Sequence, residues 1–281
     1  HSFVTTIRYG GFRPMVFMQH GLMVGVWMVN AALVGFWLWR SGTLRRLWRI
    51  DVRWLLLVLA ATAVLCKSTG ALALGILGFV TIVAAERLRL AWVMVLLVLA
   101  APAYMTLRAT GTWDGRVMTD LAAKVSNVQQ AGSLEVRLQQ EDDITRVALE
   151  KPLFGWGVWG YAKAGGADQL WLLAMRNHGL FGLGAVVMAL LLPMVCVLLR
   201  FPVAAWATAE VGPAVILALV VLLWLLDCLF NAMVNPIWLV AAGGVAGLGA
   251  YVPAARAPVA AGVRTCATRR MPGRLVTGVD R

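Results

Sequence analysis

Seven apolar runs dominate this chain of 281 residues, at roughly 15–39, 50–67, 70–86, 91–107, 179–199, 213–234 and 236–252. An α-helix rises 1.5 Å per residue, so about 20 apolar residues cross the hydrocarbon core of a bilayer. In lipid, a helix is the segment that satisfies its own backbone donors and acceptors. Runs of this length, repeated along a chain, predict an all-α membrane protein: a polytopic transmembrane helix bundle of about seven spans. The composition agrees, at 61% hydrophobic against about 45–50% apolar for a soluble domain. The second and third runs are tight, since Trp54 to Cys66 and Ala71 to Ala85 each give only about 20 Å of helix. The intervening Lys67-Ser68-Thr69-Gly70 is therefore expected to be recessed, because polar backbone at membrane depth persists where it lines a wet cavity.

The charge, +12 from 25 basic and 13 acidic residues, is large enough to suggest nucleic acid as a partner. Its distribution excludes that reading and points to membrane lipids, because the basic residues occupy loops that alternate with the spans. Arg40, Arg45, Arg46, Arg49 and Arg53 fill the first short loop, Arg87 and Arg89 another, and Arg200 follows the fifth span. Arg256, Arg264, Arg269, Arg270, Arg274 and Arg281 lie in the tail. All fall on one side if the spans alternate, and Lys/Arg bias in short loops marks the cytoplasmic side. The mixed-charge segment 108–168 then forms a large extracytoplasmic loop. Two regions follow: a transmembrane domain over 1–252, including that loop, and a basic, disordered cytoplasmic tail over 253–281. The chain opens on His1, so upstream helices are expected to be missing. Cys66, Cys196, Cys228 and Cys266 show no metal-ligand spacing, so neither a zinc site nor a disulfide framework is expected.

Within the loop, 133–150 reads as a helix with Ser133 as N-cap, Lys151 near its negative end and Pro152 as its stop. Arg137 and Glu141 stand at i, i+4 on that helix. A second short helix is expected from Asp168 to about His178, with Gly179 breaking it before the next span. Gly155-Trp156-Gly157-Val158-Trp159-Gly160 is literally G-x-G-x-x-G, but a dinucleotide fingerprint needs a strand before it, and here a helix precedes. Asp227 and Asn231 share a face of the sixth span, which predicts a structural hydrogen bond facing helices or water, with a contribution to a site as the alternative. Gly243, Gly244 and Gly247 suggest close helix packing in the last span.

Several segments resemble the O-antigen ligase and O-antigen polymerase family of membrane glycosyltransferases. Arg137 to Gly157, RLQQEDDITRVALEKPLFGWG, is similar to that family's arginine, amphipathic helix and Pro-Leu-Phe-Gly-x-Gly turn, matched by Pro152, Leu153, Phe154, Gly155 and Gly157. Asp168 to Gly182, DQLWLLAMRNHGLFG, resembles its His-Asn, nine residues, Gly-x-x-Gly motif: Gly179 and Gly182 match, with Asp168 and Gln169 at the His-Asn positions. Lys67-Ser68-Thr69-Gly70-Ala71 resembles a Ser/Arg/Gly cluster that opens a span, and Arg13-Pro14 precedes the first span.

The resemblance implies transfer of a glycan from a polyprenyl-diphosphate carrier to a saccharide or lipid-anchored acceptor, outside the cytoplasmic membrane and without a metal or cofactor. Such chemistry needs cations where charge develops on the leaving diphosphate and a base for the acceptor hydroxyl. The resemblance assigns Arg137, Lys67 and Arg13 to diphosphate binding, with Arg137 and Asp168 as the catalytic candidates. Against these stand plainer readings: an ion-paired helix arginine, a snorkelling lysine, an interfacial arginine and an N-cap aspartate. His178 reads as a helix-end residue and His20 as a packed, hydrogen-bonded imidazole. The tryptophans of 156–159 suit either sugar stacking or the membrane interface. A transporter of a small solute or lipid, or a non-catalytic membrane component, is the competing class. Transporters show repeats and midplane broken helices, whereas here no repeat is seen and the polar residues gather in the loop.

Overall fold

A computed structural model describes residues 7–8, 11–125, 128–231 and 234–251. The tail over 253–281 lies outside the described residues. The chain is helical, with two short antiparallel hairpins pairing Ile7–Arg8 with Gly11–Phe12 and Arg46–Leu47 with Ile50–Asp51. The helices are α1 (Gly21–Arg40), α2 (Val52–Leu65), α3 (Thr69–Leu88), α4 (Trp92–Ala109), α5 (Arg116–Val125), α6 (Val128–Leu149), α7 (Gly160–Ala164), α8 (Leu170–Arg200), α9 (Gly212–Asp227) and α10 (Pro236–Tyr251). Among the described residues, α1, α3, α4 and α8 are long and apolar enough to cross a membrane, while α2, α9 and the first turns of α10 are shorter apolar helices.

Helix α9 is the centre. It packs against α1, α3, α4, α8 and α10, and its residues from Ala218 to Leu225 are all buried. A helix apolar on every face can only be stable when surrounded. Trp224 of α9 stacks on Trp238 of α10 at 5.8 Å, and Trp238 in turn meets Trp27 of α1 at 5.7 Å. Where α1 approaches α3, Gly25 permits the contact: a Cβ there would stand 2.8 Å from that of Ser68.

Several helix ends differ from expectation, for local reasons. Helix α1 begins at Gly21, not near residue 15, because the His20 side chain caps it, Nδ1 accepting from the Leu22 amide at 3.1 Å. The loop helix α6 starts at Val128, which places Ser133 inside it rather than at its cap. Gln169, not Asp168, precedes α8, and it makes no side-chain cap bond. The expected break at Gly179 is present: its φ of 65° and ψ of −163° divide α8 into a short first piece and a long apolar piece. Helix α9 stops at Asp227, short of residue 234. Gly243 and Gly247 have nothing near them among the described residues, and Gly244 makes only an ordinary contact with Leu217. They do not mediate close packing: Gly243 and Gly247 are exposed, and at Gly244 there is room for a Cβ against α9.

Candidate functional site

The site is a cavity of about 450 Å³ between the start of α3, the end of α9 and the loop helices. Its walls are mainly leucine, from Leu22 and Leu74 to Leu226 and Leu229, with Phe230. Polar groups enter from four directions. Arg13 comes from the segment before α1, and Arg137 from α6. Ser68, Thr69 and Gly70 bring the N-terminus of α3, while Asp227 and Asn231 bring the end of α9. A cavity of some 300–1,000 Å³, largely apolar with a few converging polar groups, has the usual form of a ligand site.

Each polar group is held by local structure. Lys67 has a left-handed backbone, φ 51°, which turns the chain sharply between α2 and α3. Ser68 then caps α3, and its first turn is presented to the cavity. Arg13 is buried, 9% exposed; its guanidinium donates from Nε and Nη2 to the Lys67 carbonyl at 3.2 and 3.1 Å. Of the polar segment between the second and third apolar runs, Ser68, Thr69 and Gly70 line the cavity. Lys67 itself does not: its ammonium lies over Gly11, where any Cβ would collide with it. Lys67 contributes its carbonyl to the placement of Arg13.

Arg137 reaches the same cavity from α6, and its charge acts on the Asp227 carboxylate. It is not Glu141's partner. Glu141 turns inward, with its side chain 1% exposed, and receives Arg108 Nε at 2.8 Å and the Tyr104 hydroxyl at 2.8 and 2.9 Å. Arg108 also donates to the Leu138 carbonyl at 2.9 Å and to Asp142 at 2.8 Å. Burial pushes the Glu141 carboxyl up, against the pull of Arg108 and Tyr104. This cluster ties the end of α4 to α6 one residue beyond Arg137. The expected Arg137–Glu141 pair fails because i, i+4 spacing names neighbours on one helix and cannot see a competitor from another.

Asp168 is exposed and is not among the cavity residues. Its neighbour Gln169 is fully buried and donates to the Arg137 carbonyl at 3.3 Å. The next amide, of Leu170, donates to the Cys228 carbonyl at 3.1 Å. The segment that resembles the family's His-Asn motif therefore braces Arg137 and the end of α9 from behind. The carboxylate inside the cavity is Asp227. Sequence reasoning found its shared face with Asn231 and held a site contribution as the alternative to a structural bond, but it did not place Asp227 among the candidate site residues, although a carboxylate in an apolar run was a usable signal.

The two glycine motifs meet. The Trp156 amide donates to the Arg176 carbonyl at 2.8 Å, and the Leu180 and Phe181 amides donate to the Pro152 and Leu153 carbonyls at 2.7 and 3.2 Å. Gly155, φ 70°, would place a Cβ 2.6 Å from the Arg176 oxygen, and Gly179 would press one into the Leu153 carbonyl. The G-x-G-x-x-G stretch is a turn followed by a 3-10 segment and the short α7, preceded by α6 rather than a strand. Trp156 is engaged internally, its indole donating to the Val147 carbonyl at 2.9 Å with the Lys151 ammonium 4.1 Å above the ring. Trp159 is exposed. His178 is exposed at the end of the first piece of α8.

Comparison with family models, with curated proteins and with solved structures returns no match for this chain.

Proposed function

We propose that this protein is a membrane-embedded glycosyltransferase that moves a glycan from a polyprenyl-diphosphate carrier to an acceptor saccharide, as the O-antigen ligases and polymerases that its motifs resemble would. In this reading all seven apolar helices are spans, the loop over 108–168 lies outside the cytoplasmic membrane, and the arginine-rich short loops lie inside. The observation that carries the proposal is the joint presence of Arg13, Arg137 and the α3 N-terminus around one leucine-walled cavity. Two guanidiniums and a helix N-terminus suit an anion. The apolar walls suit the first isoprene units attached to it. Charge that develops on the departing diphosphate would be held where it appears.

Arg137 provides the test. In the full protein reconstituted in nanodiscs, Arg137→Ala should express normally, bind undecaprenyl diphosphate weakly and lose transfer from an undecaprenyl-diphosphate-linked oligosaccharide by about a hundredfold or more. Arg137→Lys should restore little, because a point charge replaces a bidentate fork. Wild-type binding and transfer by Arg137→Ala would end the proposal.

A further inference from the structure

Asp227 is 7% exposed and stands at the end of a helix buried on every side. A carboxylate taken into an apolar bundle costs several kcal/mol unless its lone pairs are engaged. Asp227 engages one of its two oxygens. Its Oδ1 accepts from Asn231 Nδ2 at 3.0 Å, while Oδ2 has no hydrogen-bond partner among the described residues. Asn231 repeats the pattern. Its Nδ2 is committed to Asp227, and its buried Oδ1 has no partner among them either. Both residues line the cavity that contains Arg13 and Arg137. The cavity thus has cations in its lining and, with them, two buried acceptor oxygens that have no partner among the described residues. A diphosphate has no donor to give them at neutral pH. A sugar hydroxyl does.

We propose that Asp227 is the catalytic base of the transfer and that Asn231 orients the acceptor saccharide beside it. This assignment rests on the transferase reading above. The acceptor hydroxyl oxygen attacks the anomeric carbon of the donor, and its proton passes to Asp227 Oδ2. The bond from the anomeric carbon to the diphosphate oxygen breaks, and the electron pair leaves with the diphosphate, beside Arg13 and Arg137. The Asn231 amide holds Oδ1, so the proton has a single oxygen to go to, and its own Oδ1 accepts from a second hydroxyl of the same sugar. A carboxylate near a diphosphate weakens donor binding, so the base lowers affinity while it raises turnover.

The experiment compares the full protein in nanodiscs with Asp227→Asn, Asp227→Glu and Asn231→Ala. Binding is measured with undecaprenyl diphosphate itself, and transfer with an undecaprenyl-diphosphate-linked oligosaccharide offered its own kind or a lipid A core as acceptor. Asp227→Asn keeps the shape and the bond to Asn231. It should bind undecaprenyl diphosphate at least as tightly as wild type, yet transfer about a hundredfold or more slowly. Asp227→Glu should retain clearly more transfer than Asp227→Asn. Asn231→Ala should raise the acceptor KM about fivefold, the equivalent of one lost hydrogen bond, with donor affinity unchanged. Transfer by Asp227→Asn within about threefold of wild type would overturn the assignment, since base catalysis contributes far more than that. So would equal loss in folded Asn and Glu variants. Where Asp227→Asn is recovered only as aggregate, an unchanged acceptor KM in Asn231→Ala overturns it. Wild-type protein that fails to bind undecaprenyl diphosphate removes the transferase reading and the base with it. Arg137-dependent transfer that survives Asp227→Asn removes the base alone.

Discussion

Arg108 and Glu141 show what a buried charge does in this chain. Each side chain is 1–2% exposed, and they meet across 2.8 Å. Removing one partner leaves the other charged and dry, which costs about 3–5 kcal/mol. Arg108→Ala and Glu141→Ala should each lower thermal stability in detergent by that order. The double variant Arg108→Leu/Glu141→Leu should recover most of the loss, because an apolar pair needs no compensation. Additive losses in the double variant would mean that the two residues act separately. The exposed Arg146–Asp143 pair, at 3.7 Å, should contribute about 0–1 kcal/mol. At this scale the sequence was only partly legible. The Asp227–Asn231 bond follows from i, i+4 spacing, and the bond of the His20 imidazole is to a neighbour two residues on. Arg108's partners lie far along the chain, and nothing in local spacing announces them.

The docking of the Pro152–Gly157 turn on the Gly179 break is a property of elements rather than of single side chains. Gly155 needs both a left-handed backbone and the absence of a Cβ. Gly155→Ala should therefore destabilise the loop by about 1–3 kcal/mol from the backbone alone, and more from the displaced Arg176 carbonyl. Gly184 lies in the apolar piece of α8 with open space around it, so Gly184→Ala should be neutral or slightly stabilising. Limited proteolysis of the loop alongside a thermal melt checks both, and equal protection of the Gly155→Ala loop would contradict the docking. Helix existence was legible from the apolar runs, and the Gly179 break from its residue type. The approach of one glycine turn to the other was not, because backbone-to-backbone contact leaves no side-chain pattern to read. The cap at Ser133 was misplaced because a polar first turn, Val128 to Gly132, continues the helix without an apolar period.

For the whole molecule, arginine distribution predicts orientation, and the cavity's position makes that orientation matter. A donor on the outer side requires α6 to lie outside. In a background without the four native cysteines, Lys124→Cys should react with a membrane-impermeant maleimide in intact cells. Arg45→Cys should react only after permeabilisation. Labelling of position 124 only from the cytoplasmic side would sink both the topology and the outer-face transfer. The helical bundle and the cavity-lining polar link were legible because bilayer thickness and backbone hydrogen bonding leave few choices. Which polar residues share the cavity was less so. Arg13 and Arg137 line it, whereas Lys67, at a left-handed turn of φ 51°, supplies a carbonyl, and Asp168 stays at the surface.

The turn at Pro152–Gly157 leaves the ribosome well before the residues it pairs with. Until Arg176 to Phe181 follow, the carbonyls of Pro152 and Leu153 and the amide of Trp156 have only water to bond. Leu180 and Phe181 are also the first residues of the apolar piece of α8. In the proposed topology, completing the turn and handing that helix to the lipid coincide during biosynthesis, so the maturation of the loop would be timed by insertion of the segment that follows it rather than by the loop's own sequence.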